Sequence, residues 1–279
     1  MRNVLSANLL RLRKSRLFWG TLAATLAFSV YYMFSRILET RQWSGEGIPE
    51  LSMMDMAYWQ LVPFLSIFFA VPLSLYLGTD YSDGTIRNRL VVGSRRGAIY
   101  FANLLTSVLV CFAVTAVHFL GGLTGLLELV PWQYGWQQVA LSLLVSFGIA
   151  AALAAILSCV GTLCTRKSAG AVAALLLVLA LLMLGSYLYN ALLEPEMASE
   201  MVFTANGIEA SAPHPNPYYI GGALRTVYQV LLRVLPTGQA ILVANGEAAQ
   251  PWLLLAASLG LSAVVSAAGA ALFRRKDLK

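Results

Sequence analysis

Charge is scarce in this chain: 11% of its 279 residues are charged and 58% are hydrophobic, a balance too apolar for a water-soluble domain of that length. A Gly-x-x-x-x-Gly-Lys-Ser/Thr phosphate loop is missing, so ATP cannot be held by that route, and no His-Glu-x-x-His metal motif is present. Only two histidines occur, His118 and His214, far apart in the chain. The three cysteines, Cys111, Cys159 and Cys164, lie inside apolar runs at no metal-ligand spacing and read as small core residues. No Asp, Glu, Lys or Arg falls well inside a long apolar run. That counts against carriers driven by proton or sodium gradients, which need an ionisable or cation-coordinating group near the bilayer midplane. The paired carboxylates of an intramembrane enzyme are missing too, and no residue is assigned a catalytic role.

What is there is a series of six apolar runs, at about 17–34, 59–77, 98–127, 138–164, 169–193 and 252–273, each long enough to cross a bilayer as a helix. The fold class expected is therefore an all-α integral membrane protein, a single transmembrane domain over 1–279. Pro63 and Pro72 predict a bent second span, with Pro63 harmless if it falls in the first turns. Residues 1–16 carry Arg2, Arg11, Arg13, Lys14 and Arg16, with Leu5, Leu9 and Leu12 on one helical face and Asn8, Arg11 and Ser15 on the other. Such a helix can lie flat in the headgroup layer. Residues 35–58 form a polar connection with Glu39, Glu46, Glu50 and Asp55. Between the fifth and sixth runs, four prolines over 195–217 discourage a helix, and 218–235 and 239–243 predict short helices at, or dipping into, the outer leaflet.

Basic residues sort by loop. With both termini in the cytoplasm, the inner side holds five in the N-terminal segment, four in 78–97 (Arg87, Arg89, Arg95, Arg96), Arg166 and Lys167, and four in the C-terminal tail, which is fifteen of the 19. The outer side keeps Arg36, Arg41, Arg225 and Arg233. The formal net charge of +6 is thus explained by membrane topology, and nucleic acid is not expected as a partner. All six tryptophans, at 19, 43, 59, 132, 136 and 252, fall at or near run ends, as interfacial anchors do. Small residues, Gly121, Gly122 and Gly125, Ala151 and Ala155, and Ala256 and Gly260, predict close helix contacts within one subunit or across a dimer.

The polar stretch 78–97, GTDYSDGTIRNRLVVGSRRG, is the centre of this organisation. Asp83 or Ser82 is placed to N-cap a short helix over 84–92, Gly93 to end it in the left-handed region, and Ser94 to cap the next. Ile86 and Leu90 share one side of that helix, with Arg87, Asn88 and Arg89 around the rest. As a solvated connection its arginines fix orientation; as a docking knob it offers an apolar stripe with basic flanks to a cytosolic partner. His118, at depth in the third run, is either a substrate contact or proton relay, or a neutral histidine bonded to a nearby carbonyl or hydroxyl.

Nearly the whole chain resembles a permease subunit of an ATP-binding cassette exporter of the second export type, common in bacteria. The resemblance is carried by the basic start 3–16, the six spans, DYSDGTIRNRLVVGSRR after span two, LRVLPTGQAI before span six and the ending LFRRKDLK. It implies that the stretch after span two is a coupling helix seated in a groove of a separate ATPase, with Asp83, Gly84, Thr85, Ile86, Arg87, Arg89 and Leu90 at the contact. Where such proteins usually carry glutamate, this chain offers Asp80 or Asp83. Arg166 and Lys167 are expected to make a second contact. The resemblance further implies a bacterial cytoplasmic membrane, a second permease subunit in a homo- or heterodimer, membrane lipid as a partner, no cofactor bound by this chain, and ATP with Mg on the ATPase. A gradient-driven carrier or channel and a non-transporting scaffold or sensor share the topology.

Overall fold

The computed structural model describes residues 1–43, 53–130, 132–133, 135–164, 166–199, 201–204 and 207–276. Glu46 and Glu50 of the first connection, Thr165 of the basic turn, and Asp277 to Lys279 of the tail lie outside them. The helices are α1 (Arg2–Lys14), α2 (Arg16–Trp43), α3 (Met54–Trp59), α4 (Leu65–Ser82), α5 (Thr85–Val91), α6 (Arg96–Gly122), α7 (Trp136–Leu163), α8 (Lys167–Leu193), α9 (Gly222–Val234), α10 (Pro236–Ala244) and α11 (Pro251–Arg275). Between α8 and α9, β1 (Met197–Ala198) pairs antiparallel with β4 (His214–Pro215), and β2 (Met201–Thr204) with β3 (Gly207–Ala210). Six stretches are long and apolar enough to cross a membrane: Arg16–Gln42, Met54–Ser82, Arg96–Leu127, Trp136–Leu163, Lys167–Leu193 and Pro251–Arg275. The protein is an all-α membrane protein.

Span boundaries follow local chemistry. α1 and α2 are separated by Ser15, whose backbone is extended (φ −77°, ψ 117°) and whose hydroxyl accepts the Phe18 N–H at 3.3 Å, capping α2. α2 then runs about nine residues past the apolar run, taking in Arg36, Glu39 and Arg41, because an i,i+3 ion pair (Arg36 to Glu39, 2.9 Å) and a pair from Arg41 to Glu128 satisfy its charges. The second span breaks at Pro63 instead of Pro72: Val62–Phe64 is a 3-10 turn between α3 and α4, and Pro72 sits inside α4. Asp55, expected in the polar connection, belongs to α3, is buried, and accepts the Gln133 backbone N–H at 2.6 Å.

Two expectations about faces are corrected. On α1 the buried residues are Val4, Asn8 and Leu12, while Leu9 is 40% exposed, because the helix packs on α6 and turns Asn8 toward polar groups there. Trp59, expected at the interface, is a core residue packed edge-on against Tyr58 and Phe119, since α3 folds into the bundle. Close approaches at the glycines of α6 are internal to the subunit: a Cβ at Gly121 would lie 2.8 Å from Ser29 Cβ, and one at Gly122 2.8 Å from the Tyr58 ring. Gly260 has nothing within 4 Å of that position.

The segment before the last span enters the bundle. α9 and α10 meet at 90° through Leu235, with Pro236 opening α10, and every residue of α10 is buried. Its polar groups are bonded: Thr237 donates to the Leu181 carbonyl (2.6 Å) midway along α8, Gln239 donates to the Arg233 (2.6 Å) and Leu254 (3.1 Å) carbonyls, and Ser258 donates to Gln239 (2.6 Å). A bent backbone at this depth is tolerated because protein surrounds it.

Candidate functional site: a short helix on a buried ion cluster

At the end of the bundle that carries both termini, Met1 and Arg274 lie beside Arg95 and Arg96 around one hollow, and α5 packs there against α4 and α6. α5 spans seven residues and is closed at both ends by backbone geometry. α4 runs through Ser82 and Asp83 closes it, so the chain needs a left-handed residue to turn into α5; Gly84 supplies it (φ 66°). The expected side-chain cap is therefore corrected: Gly84 is the N-cap and no side chain caps the helix, while Ser82 donates to Asp83 (3.0 Å) and to the Thr79 carbonyl (3.3 Å). At the other end Gly93 (φ 89°) takes the left-handed position, and the Gly93 and Ser94 N–H groups donate to Leu90 and Arg89 carbonyls, both at 2.9 Å, as a Schellman closure requires. Ser94 does not cap α6; Arg95 holds the N-cap position without a side-chain bond.

The inward side of α5 is committed to the membrane domain. Ile86 is 3% exposed and packs with Ile99 and Tyr100 of α6 and Ala270 and Phe273 of α11, with Leu90 beside them. Thus the apolar stripe expected to face a partner faces the bundle. Arg89 also turns inward, donating from Nη2 to Asn8 Oδ1 at 2.8 Å, with Nη1 3.8 Å from Asp80 Oδ2.

Asp80 is fully buried and is the hub. Its Oδ1 pairs with Arg11 of α1, and its Oδ2 accepts from Asn103 of α6 at 3.3 Å. Asn8 donates to Asn103 Oδ1 (2.7 Å), Tyr76 donates to the Asn8 carbonyl (3.0 Å), and the Arg11 guanidinium lies 4.0 Å over the Tyr76 ring. Burial works against the Arg11 charge, but Asp80 and Tyr76 together more than offset it, so the Arg11 pKa sits above the usual arginine value. One carboxylate thus holds two guanidiniums and joins α1, α4, α5 and α6.

Facing outward are Asp83, Arg87, Asn88 and Arg95, together with Val91 and Val92, which are 81% and 85% exposed; Thr85 is half-buried. Arg166 and Lys167 are exposed at the start of α8, whose first residue abuts Gly78. The C-terminal end is tied to the same turn: Lys276 donates to the Thr162 (2.6 Å) and Leu163 (3.0 Å) carbonyls and sits 4.3 Å over the Tyr81 ring, and burial lowers its pKa. Asp83 and Lys167 thus line one hollow, Arg87 and Arg166 are exposed, and Ile86, Arg89 and Leu90 turn to the bundle.

His118 stands apart, buried in α6 with Nδ1 2.7 Å from Ser29 Oγ. The same hydroxyl lies 2.9 Å from the Thr25 carbonyl, so both bonds form together only in the tautomer with the proton on Nδ1.

Sequence reasoning missed Asp80, Arg11, Asn8 and Asn103 as one cluster. The signal available was the i,i+4 pair Tyr76 and Asp80 on a helix continuing past the apolar run, and the Val4, Asn8, Leu12 stripe of α1. No curated protein sequence matches the chain. The family model for ABC-2 family transporter proteins matches residues 4–194, which takes in α1 from Val4 onward, α2 to α8 and every residue of the ion cluster. On that match, over more than half its length, the chain belongs to the ABC-2 transporter family.

Proposed function

We propose that the chain is the permease subunit of an ABC-type exporter, with the face carrying α5 and both termini in the cytoplasm of a bacterial cell and a separate ATPase docked on it. ATP and Mg are bound and hydrolysed on that ATPase, and the path for substrate forms between this chain and a second permease subunit. The observation that carries this reading is the division of α5 into two sides. Its inner side is fastened to four helices by Ile86 and the Arg89–Asp80 contact, and its outer side leaves Val91, Val92, Asp83 and Arg87 uncovered. A push on the outer side is then passed to α1, α4, α6 and α11 without bending a loop, which a coupling element needs. Arg166, beside Lys167 at the start of α8, supplies a second contact on the same face.

Val91→Asp with Val92→Asp tests this. Both side chains are exposed, so thermal stability is expected to change by less than about 0.5 kcal/mol. Co-purification of the ATPase and ATP-driven transport in proteoliposomes are expected to be lost together. Undiminished ATPase assembly and transport in the double variant would overturn the docking surface, and solute movement by the purified chain alone, without ATP, would make it a carrier.

A further inference from the structure

Beside α5, a groove of about 510 Å³ opens between the last turn of α1, the start of α2, the end of α4 and the first residue of α8. Arg11, Lys14 and Lys167 bring three cations to it, Leu17, Leu75 and Tyr76 supply apolar wall, and Asp83 is its one acid. Arg11 is already engaged by Asp80. Lys14 and Lys167 are exposed, and among the described residues neither has a carboxylate at ion-pair distance. Set against Asp83, the two lysines leave an excess of positive charge, and Asp80, shared by Arg11 and Arg89, does not cancel it, which suits the negative charge of a phosphodiester.

The position of the groove is set by Gly78, where a Cβ would lie 2.6 Å from the Lys167 Cα, so that only glycine lets the start of α8 come against α4. Its depth is marked by Trp19, 56% exposed, whose indole N–H donates to the Arg13 carbonyl at 2.8 Å. Tryptophan with one polar and one apolar edge sits at headgroup level, and Leu17, 38% exposed, continues from the groove toward the acyl region.

We propose that this groove holds the phosphodiester headgroup of an anionic membrane lipid, with Lys14 and Lys167 against the phosphate and an acyl chain along Leu17 and Leu75. The binding chemistry is that of basic hollows between spanning helices at a membrane surface. A lipid seated there bridges α1, α4 and α8 across the Ser15 break.

The full chain, delipidated in neutral detergent, is titrated with short-chain phosphatidylglycerol, with phosphatidylcholine of the same chain length, and with inorganic phosphate, and its thermal unfolding is followed. Phosphatidylglycerol is expected to raise Tm and saturate, and the other two are not. Lys14→Gln with Lys167→Gln is expected to weaken its half-saturation by about thirtyfold, and Lys14→Arg with Lys167→Arg to preserve it. Equal response to the two lipids, or phosphatidylglycerol binding unchanged in the glutamine variant, overturns the site; inorganic phosphate matching phosphatidylglycerol overturns the lipid as its occupant. None of these readouts involves the ATPase, so failure here leaves the docking surface on α5 standing, and the reverse holds as well.

Discussion

At the end that carries both termini, one buried carboxylate holds two part-buried guanidiniums; at the opposite end, α10 is buried with the neutral groups Thr237, Gln239 and Ser258. The neutral bonds run largely to backbone carbonyls of adjoining helices, so each fixes one contact and breaks alone. The ionic cluster joins residues 8, 11, 80, 89 and 103, so α5 cannot shift without carrying Asp80 with it or stranding a charge. One end is held by separate bonds, and the other is tied together as a unit.

The sharpest way to break this contrast is Asp80→Ala. Among the described residues two guanidiniums lose their one carboxylate, and because Arg11 is partly exposed the loss of stability is expected at about 3 kcal/mol, read as the unfolding midpoint in detergent. Asp80→Ala combined with Arg89→Gln should recover part of it, since one stranded charge is removed. A chain that tolerates Asp80→Ala without loss would mean that water already solvates these charges, and the two ends would not differ. At the neutral end, Gln239→Leu strands the Ser258 hydroxyl and two carbonyls, and about 1–2 kcal/mol is expected from the same measurement. A loss as large as that of Asp80→Ala would remove the distinction from the other side.

How much of this was legible depended on whether the signal was local. The six spans follow from apolar runs, and Gly93 as the end of α5 follows from its position after Val91 and Val92. The N-cap did not, because α4 continues through Ser82 and takes Asp83 as its own terminus, which a reading that ends the span at 77 cannot anticipate. The inward turn of Ile86 and Arg89 was hidden for another reason. Amphipathic spacing shows that two sides of a helix differ, and it is silent on whether protein or a partner covers the apolar one; here Tyr100 and Phe273, distant in sequence, cover it. Asn8 illustrates the same limit, since a polar residue on a basic helix reads as solvated until Asn103 and Arg89 are brought beside it.

The smallest effect separates charge from burial. Arg41 and Glu128 also form a two-point ion pair, at the end where α10 lies, but both side chains are largely exposed. The hydrogen bond from Arg41 holds the Glu128 carboxyl below the usual glutamate range. A carboxyl lowered in this way stabilises the fold above its unfolded pKa, and the contribution disappears as pH falls through the folded value. Because water and salt screen an exposed pair, Glu128→Gln is expected to lower the unfolding midpoint slightly at low ionic strength and not measurably at high salt, and to flatten what acid-side slope the pair contributes. If Glu128→Gln instead matched Asp80→Ala at high salt, the charge itself, and not its enclosure among α1, α4, α5 and α6, would set the strength of these contacts, and the cluster around Asp80 would lose its standing as the element that fastens α5 to the bundle.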